Sequence, residues 1–256
     1  MKPPKYIWLT GNPRCGHTWV CRVLSTLPTI KIIDERTYLK PPITLADLHE
    51  LHMGQFITRH HEPKPTVVKT YGFKKPMVQP YWIYHFKSIA DQILLVNIIR
   101  HPIDVFLSIH RRSTDVVSGD TWRGDLFSQK DRNWKLYKKN YKQVKMWPGP
   151  TIQFKYENLI SDPVHIQNMF TEIGHPITLE TAVEIYNTNK SITDPFSRFN
   201  PSAAYADNVY DPKYGFIESQ LRKTYPTKTR EFARISVDQL TNIMEERNYD
   251  IQADLL

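Results

Sequence analysis

Residues 11–19 read Gly-Asn-Pro-Arg-Cys-Gly-His-Thr-Trp and follow the apolar run Tyr6-Ile7-Trp8-Leu9-Thr10 directly. A strand, a glycine-bounded turn and a helix start, in that order, make an anion site, with an ordinary strand-to-helix turn as the plain alternative. The first N–H groups of a helix have no intrahelical partner, and the helix dipole adds positive potential. Gly11 and Gly16 supply backbone freedom at the two ends of the turn. Arg14 sets a planar cation inside it, and Thr18 a hydroxyl just after it. The spacing matches the phosphate loop of nucleoside triphosphatases, but His17 occupies the lysine slot. A neutral imidazole does not replace that charge on the β- and γ-phosphates. The apolar run 93–99 ends in Arg100 rather than in a magnesium-binding acid. A P-loop kinase or NTPase with a modified loop is therefore the disfavoured enzyme reading.

Other residue types along the chain invite chemistry. Arg100 leaves the carboxyl end of an apolar run, the end at which α/β folds bind ligands. Ser108 follows eight residues later and is within reach of the same group; the alternative is that Arg100 pairs with Asp104 as a surface cap. Asp34 and Glu35 follow the run 30–33, and His60-His61 precede the run 66–70, which ends in Lys69-Thr70. Asp34, Glu35 and His61 are candidate proton acceptors, with a solvated loop position as the plain alternative for each. Trp19 and Tyr156 either stack on a base or fill a core. Arg222-Lys223 is a late basic pair.

The elements that must position these groups are legible as periodic runs. Residues 6–10, 30–34, 66–70, 93–99 and 151–156 are apolar and β-branched, as buried parallel strands are. Residues 16–27, 102–112, 131–146, 163–173 and 237–247 read as helices. Asp162-Pro163 places a capping side chain before a proline at the first helical position. Ser236 with Gln239 three residues on has the pattern of a capping box. Strand alternating with helix predicts a single α/β domain over 1–256, a central parallel sheet flanked by helices. The proline-rich stretches 40–42, 63–65 and 76–80 and the polar, aromatic stretch 187–215 read as loops. Aromatic residues in and near these loops, Tyr38, Phe56, Phe73, Tyr81, Trp82, Phe196, Phe199 and Tyr205, suit the apolar walls of a small-molecule pocket, with core beneath the loops as the equal alternative.

Composition narrows the partners. The 256 residues are 40% hydrophobic and carry a formal charge of +8. Such a balance suits an anionic ligand. The basic residues are dispersed and form no tail, which argues against nucleic acid. Cys15 and Cys21 are the only cysteines, too few for a disulfide framework or a cysteine-based metal site. No run approaches the roughly 20 apolar residues of a membrane span, and the start is too short in apolar residues for a signal peptide. The expectation is a soluble, cytoplasmic protein.

The segment Asn12-Pro13-Arg14-Cys15-Gly16-His17-Thr18-Trp19 resembles the 5′-phosphosulfate loop of sulfotransferases that use 3′-phosphoadenosine 5′-phosphosulfate (PAPS). That loop runs Pro-Lys/Arg-Ser-Gly-Thr-Thr, often followed by Trp. Cys15 stands where the family has serine and His17 where it has the first threonine. Residues 97–108 are similar to the family's 3′-phosphate motif, which implies that Arg100 and Ser108 hold that phosphate. Phe154-Lys155-Tyr156-Glu157-Asn158-Leu159 with Ser161-Asp162-Pro163 resembles its Tyr-Glu-Asp-Leu…Asp-Pro segment, which implies that Tyr156 and Trp19 flank the adenine. Arg222-Lys223 matches only the first two positions of the late Arg-Lys-Gly loop. The resemblance implies a P-loop-like sulfotransferase fold, transfer from PAPS with release of PAP, no metal requirement, and a hydroxyl or amine on a small organic or amphiphilic acceptor. It implies Arg14 as first and Lys69, in a Lys-Thr-His-like segment, as second cation at the breaking bond. Tyr71 replaces that segment's histidine. The base is then Glu35 first, Asp34 or His61 next, or no dedicated group. The unmatched features leave a nucleotide-binding module without catalysis as the non-enzymatic alternative. Neither the acceptor nor the oligomeric state is specified by these residues.

Overall fold

The computed structural model describes residues 4–33, 68–74, 80–115, 133–191 and 222–250. The strands are β1 (Tyr6–Gly11), β2 (Ile30–Ile33), β3 (Thr70–Lys74), β4 (Ile93–Ile99) and β5 (Thr151–Lys155). The helices are α1 (His17–Ser25), α2 (Pro80–Phe86), α3 (Pro102–Asp115), α4 (Asn133–Lys145), α5 (Tyr156–Ser161), α6 (Pro163–Glu172), α7 (Leu179–Ser191) and α8 (Pro226–Glu246), with a 3-10 turn over Lys87–Gln92. The five strands form one parallel sheet in the order β2-β3-β1-β4-β5. Every residue of β1 and β4 is buried, as expected of central strands with both faces covered. None of the described helices is long and apolar enough to cross a membrane.

The chain divides into two compact units, Met1–Ile99 with Lys142–Tyr186, and Arg100–Tyr141 with Asn187–Leu256. The first contains the whole sheet. One of its faces carries an aromatic core: Trp8 lies 5.4 Å from Phe73, 5.7 Å from Phe86 and 5.4 Å from Trp147 between ring centroids. Trp82 stacks on Phe86 at 5.4 Å. Such pairs add about 0.5–1.5 kcal/mol each beyond their area burial. Phe73 and Trp82 are 7% and 5% exposed. They are core residues, the second of the two alternatives for these aromatics. In the second unit α3 packs on α8, with Phe106 against Phe232 at 5.6 Å and against Tyr137 at 6.2 Å.

Among the element boundaries that differ from the sequence reading, three change what a residue does. The strand expected at 66–70 runs from Thr70 to Lys74. Pro80 opens a helix instead of ending a loop, which is the first-turn position that tolerates proline. The last helix begins at Pro226, with proline in its first turn, so Ser236 is an interior, buried residue rather than a cap. The Asp162 cap is present: the Val164 N–H donates to Asp162 Oδ1 at 2.8 Å.

At the amino end of the sheet His175 is buried between two threonines. Thr70 Oγ1 donates to the Pro4 carbonyl at 2.8 Å and lies 2.7 Å from His175 Nε2. Its one proton is committed to Pro4, so His175 Nε2–H donates to it, and Nδ1 at 3.2 Å accepts from Thr29 Oγ1. Burial, and then the charge of Lys69, push the His175 pKa down. The folded pKa thus lies below the unfolded value of about 6.5. The stability this neutral imidazole contributes is complete above that value and is lost as pH falls toward the folded pKa. The Tm of the parent should therefore fall more between pH 7 and 5 than that of His175→Asn, measured by thermal denaturation; parallel pH profiles would refute the assignment.

Candidate anion loop and its cations

Strand β1 delivers the loop and α1 receives it. Arg14 has φ 70 and Gly16 φ 87, both left-handed. For Arg14 that conformation costs on the order of 1 kcal/mol and marks the turn as held by its surroundings. The Cys15 N–H donates to Asn12 O at 3.1 Å, closing the turn, and the Val20 N–H donates to Gly16 O at 3.1 Å, opening the helix. No side chain caps α1, and its first turn carries no acid. The helix end therefore keeps its N–H groups and its positive potential for an anion. Pro13, Arg14, Gly16 and Thr18 are partly exposed, while Cys15, His17 and Trp19 are buried. The accessible rim of the loop is thus a guanidinium, a glycine backbone and a hydroxyl.

Lys74 supplies a second cation that sequence reasoning missed. It is the last residue of β3, paired with Leu9 of β1. It is 4% exposed, and its Nζ donates to Thr18 Oγ1 at 3.2 Å. Lys69 precedes the first residue of β3, and its N–H donates to Thr29 O at 2.9 Å. Five residues at the usual strand rise place Lys69 about 16 Å from Lys74 along the strand direction. The structure thus puts Lys69 beside His175 at the amino end of the sheet and Lys74 at the loop. The sequence signal for Lys74 was a lysine ending an apolar alternation, hidden because the strand was placed four residues too early.

His17, the first residue of α1, is 5% exposed. Its Nε2 has no hydrogen-bond partner among the described residues, and neither has the buried Oδ1 of Asn12. Burial chiefly, then Lys74, lower its pKa to about 3, with Arg14 adding to the effect and the backbone at Thr10 and Gly11 opposing it. The ring packs on Gly11: a Cβ there would lie 2.6 Å from His17 Nε2 and 2.2 Å from the Ile98 carbonyl oxygen. At neutral pH the site has two cations and a neutral histidine, not the triphosphate lysine.

Trp19 and Tyr156 meet edge to face at 6.0 Å and are 3% and 4% exposed. A Cβ on Gly16 would lie 2.2 Å from the Tyr156 ring. Tyr156 therefore packs behind the loop, and both rings are core-packed in the first unit. In the second unit Arg100 is 2% and Ser108 4% exposed. The Arg100 carbonyl accepts from Tyr137 Oη at 2.8 Å, and Arg247 Nη1 donates to the same hydroxyl at 2.9 Å. Asp104 takes its partner from outside α3: Arg222 Nε donates to Oδ1 at 2.8 Å and Nη2 to Oδ2 at 3.2 Å. Arg222 Nη2 also lies 3.2 Å from His101 Nδ1. Lys223 follows in the same short helical turn. Asp34, Glu35 and His61 lie outside the described residues, as do Tyr38, Phe56, Phe196, Phe199 and Tyr205.

No family model and no curated protein matches the sequence. Solved structures do match the fold. The sulfotransferase domain of the curacin biosynthetic pathway superposes with a TM-score of 0.55 at 14% identity, covering 98% of this chain and 99% of that one. A mouse sulfotransferase, SULT7A1, complexed with PAP gives 0.51 at 15% identity over 90% of this chain and 85% of that one. The sulfotransferase domain of a Synechococcus olefin synthase gives 0.50 at 16% identity, over 88% and 96%. The parallel sheet in the order β2-β3-β1-β4-β5, the loop after β1 and these three likenesses together give this chain the α/β, P-loop-like fold of PAPS-dependent sulfotransferases.

Proposed function

We propose that the chain is a PAPS-dependent sulfotransferase, acting as one functional domain over 1–256 on a hydroxyl or amine of a small organic or amphiphilic acceptor. The observation that carries the reading is the Lys74–Thr18 contact beside the uncapped start of α1. It sets a buried lysine beside the hydroxyl that follows the loop, which supports a site for a sulfonate-bearing 5′-phosphate. The loop fits such a group: it has a cationic rim, an unfilled helix end, and two buried polar atoms, His17 Nε2 and Asn12 Oδ1, with no partner among the described residues. Pro13 to Trp19 would hold the 5′ end of the donor, and Arg100 with Ser108 its 3′-phosphate. Tyr156, Arg222 and Lys223 keep only supporting roles in this reading.

When bound, PAPS supplies an SO3 group whose departure leaves negative charge on the bridging phosphate oxygen. Lys74 and Arg14 are fixed before the reaction, so they stabilise that charge without reorganising. Thr18 orients the Lys74 ammonium, and the low exposure of Lys74 keeps water from screening it. Glu35 is the proposed proton acceptor, with Asp34 or His61 as substitutes, and an amine acceptor needs a base least.

Ligand-induced stabilisation tests the reading. PAP without magnesium, at about a hundredfold excess over its Kd, should stabilise the fold by about 2.7 kcal/mol, and so raise Tm by about 5–10 °C. ATP should do much less, because it lacks the 3′-phosphate. An equal shift by ATP would remove the role given to Arg100 and Ser108; no shift by PAP would remove the reading itself.

A further inference from the structure

His17 is the residue by which this loop departs most from both phosphate-loop patterns, and its surroundings give it a task. The ring is buried against Gly11, and its Nε2 has no partner among the described residues. The groups facing it come from four elements. β3 contributes Lys74 and the loop contributes Arg14, both cations; β1 contributes the backbone at Thr10 and Gly11. β4 contributes Ile98, which packs on the same Gly11. The first turn of α1 offers no acid. In the free protein nothing in this set favours a charged imidazole except two backbone groups, and burial with two neighbouring cations holds the ring neutral. A sulfate or phosphate group in the loop would reverse that balance, because it brings negative charge beside the cations that now oppose protonation.

We infer that His17 is a proton-coupled clamp: it is neutral while the loop is empty and takes up one proton when a dianionic sulfuryl or phosphoryl group enters, so that anion binding is linked to pH. The inference rests on the reading of the loop as an anion site. The proton comes from solvent, resides on the imidazole, and turns Nε2–H into a charge-assisted donor toward the bound oxygens. A lysine in this slot would carry its charge in the free protein, repelling Lys74 and Arg14 across a buried space. A threonine would carry none. A histidine supplies the charge only when the anion is there to balance it.

Linkage fixes the size of the effect. Binding that takes up one proton tightens about tenfold for each pH unit lowered between the complexed and free pKa values of His17. Calorimetry with inorganic sulfate, whose charge is constant over this range, and with PAP should be run at pH 6 in two buffers of different ionisation enthalpy. The parent should take up most of a proton per sulfate bound, and sulfate affinity should rise about tenfold between pH 7.5 and 5.5. His17→Gln should take up none and show a flat profile. Carbon-labelled imidazole NMR of the parent, with and without PAP, reads the same shift directly and serves if the variant does not fold. Binding of sulfate and PAP without proton uptake would overturn the clamp and leave the sulfotransferase reading standing. Proton-linked sulfate binding without PAP binding would support the clamp and overturn that reading. Failure to bind either would overturn both.

Discussion

Lys74→Met should lower kcat for sulfuryl transfer about a hundredfold, equivalent to about 3 kcal/mol of lost transition-state stabilisation. Methionine keeps the length and apolar stem of the side chain, so the fold loses little beyond the contact with Thr18. Lys74 is 4% exposed, and its interaction with charge building on the bridging oxygen is correspondingly unscreened. Because that charge exists only as the bond breaks, kcat and kcat/KM should fall together, with KM for PAPS nearly constant. The acceptor can be any alcohol or amine that a labelled-PAPS screen returns. Lys69→Met is the internal comparison. That residue lies at the other end of β3 and should retain nearly full activity. Equal losses in the two variants, or full activity in Lys74→Met, would show that the contact with Thr18 has no part in transfer.

The contrast between these lysines shows where sequence reading stops. The segment Thr66-Val67-Val68-Lys69-Thr70-Tyr71-Gly72-Phe73-Lys74 contains two overlapping stretches with strand character. The first is richer in β-branched residues, so local propensity favours it. The strand that forms is chosen by non-local pairing, Tyr6 with Tyr71 and Leu9 with Lys74. Propensity cannot see that register. The turn between β1 and α1 was legible for the opposite reason: Gly11, Arg14, Gly16 and Thr18 are near neighbours in the chain, and their placement is set by local turn and helix-end geometry. Strands 6–10 and 93–99 were legible because unbroken apolar runs have one use in a parallel sheet. Trp82 and Phe73 stayed open between two roles because an aromatic beside a loop looks alike whether it walls a pocket or fills a core. The capping pattern at Ser236 was overridden by a helix already running from Pro226.

Gly11→Ala should cost the fold about 3 kcal/mol or more, lowering Tm by about 10 °C. Its φ is 149, a conformation L side chains rarely adopt, and an added methyl would sit 2.2 Å from the Ile98 carbonyl oxygen and 2.6 Å from His17 Nε2. The first obstacle is backbone of a neighbouring strand, which cannot move aside as a flexible side chain could. Relief requires β1 and β4 to separate at their carboxyl ends, where the loop begins. Anion affinity should therefore fall with stability. Gly16→Ala meets the edge of the Tyr156 ring instead. It should cost a similar amount in Tm and as much in binding, since the ring is core-packed and alanine is strained at a φ of 87. Thermal denaturation with sulfate titration measures both losses; a Tm for Gly11→Ala within a degree of the parent would refute the close strand approach.

Strand β1 sits in the middle of the sheet, and both of its neighbours are encoded far downstream: Tyr6 pairs with Tyr71 on one side and Ile93 on the other. Strand β1 is therefore made well before its partners, and closing those wide chain loops is the slow, entropically opposed part of assembly. Until β4 arrives, the glycine-bounded turn is only a piece of unfolded chain. A nascent or truncated product ending before residue 93 would carry the whole motif and hold no nucleotide, so ligand capture reports completed folding of the central strands.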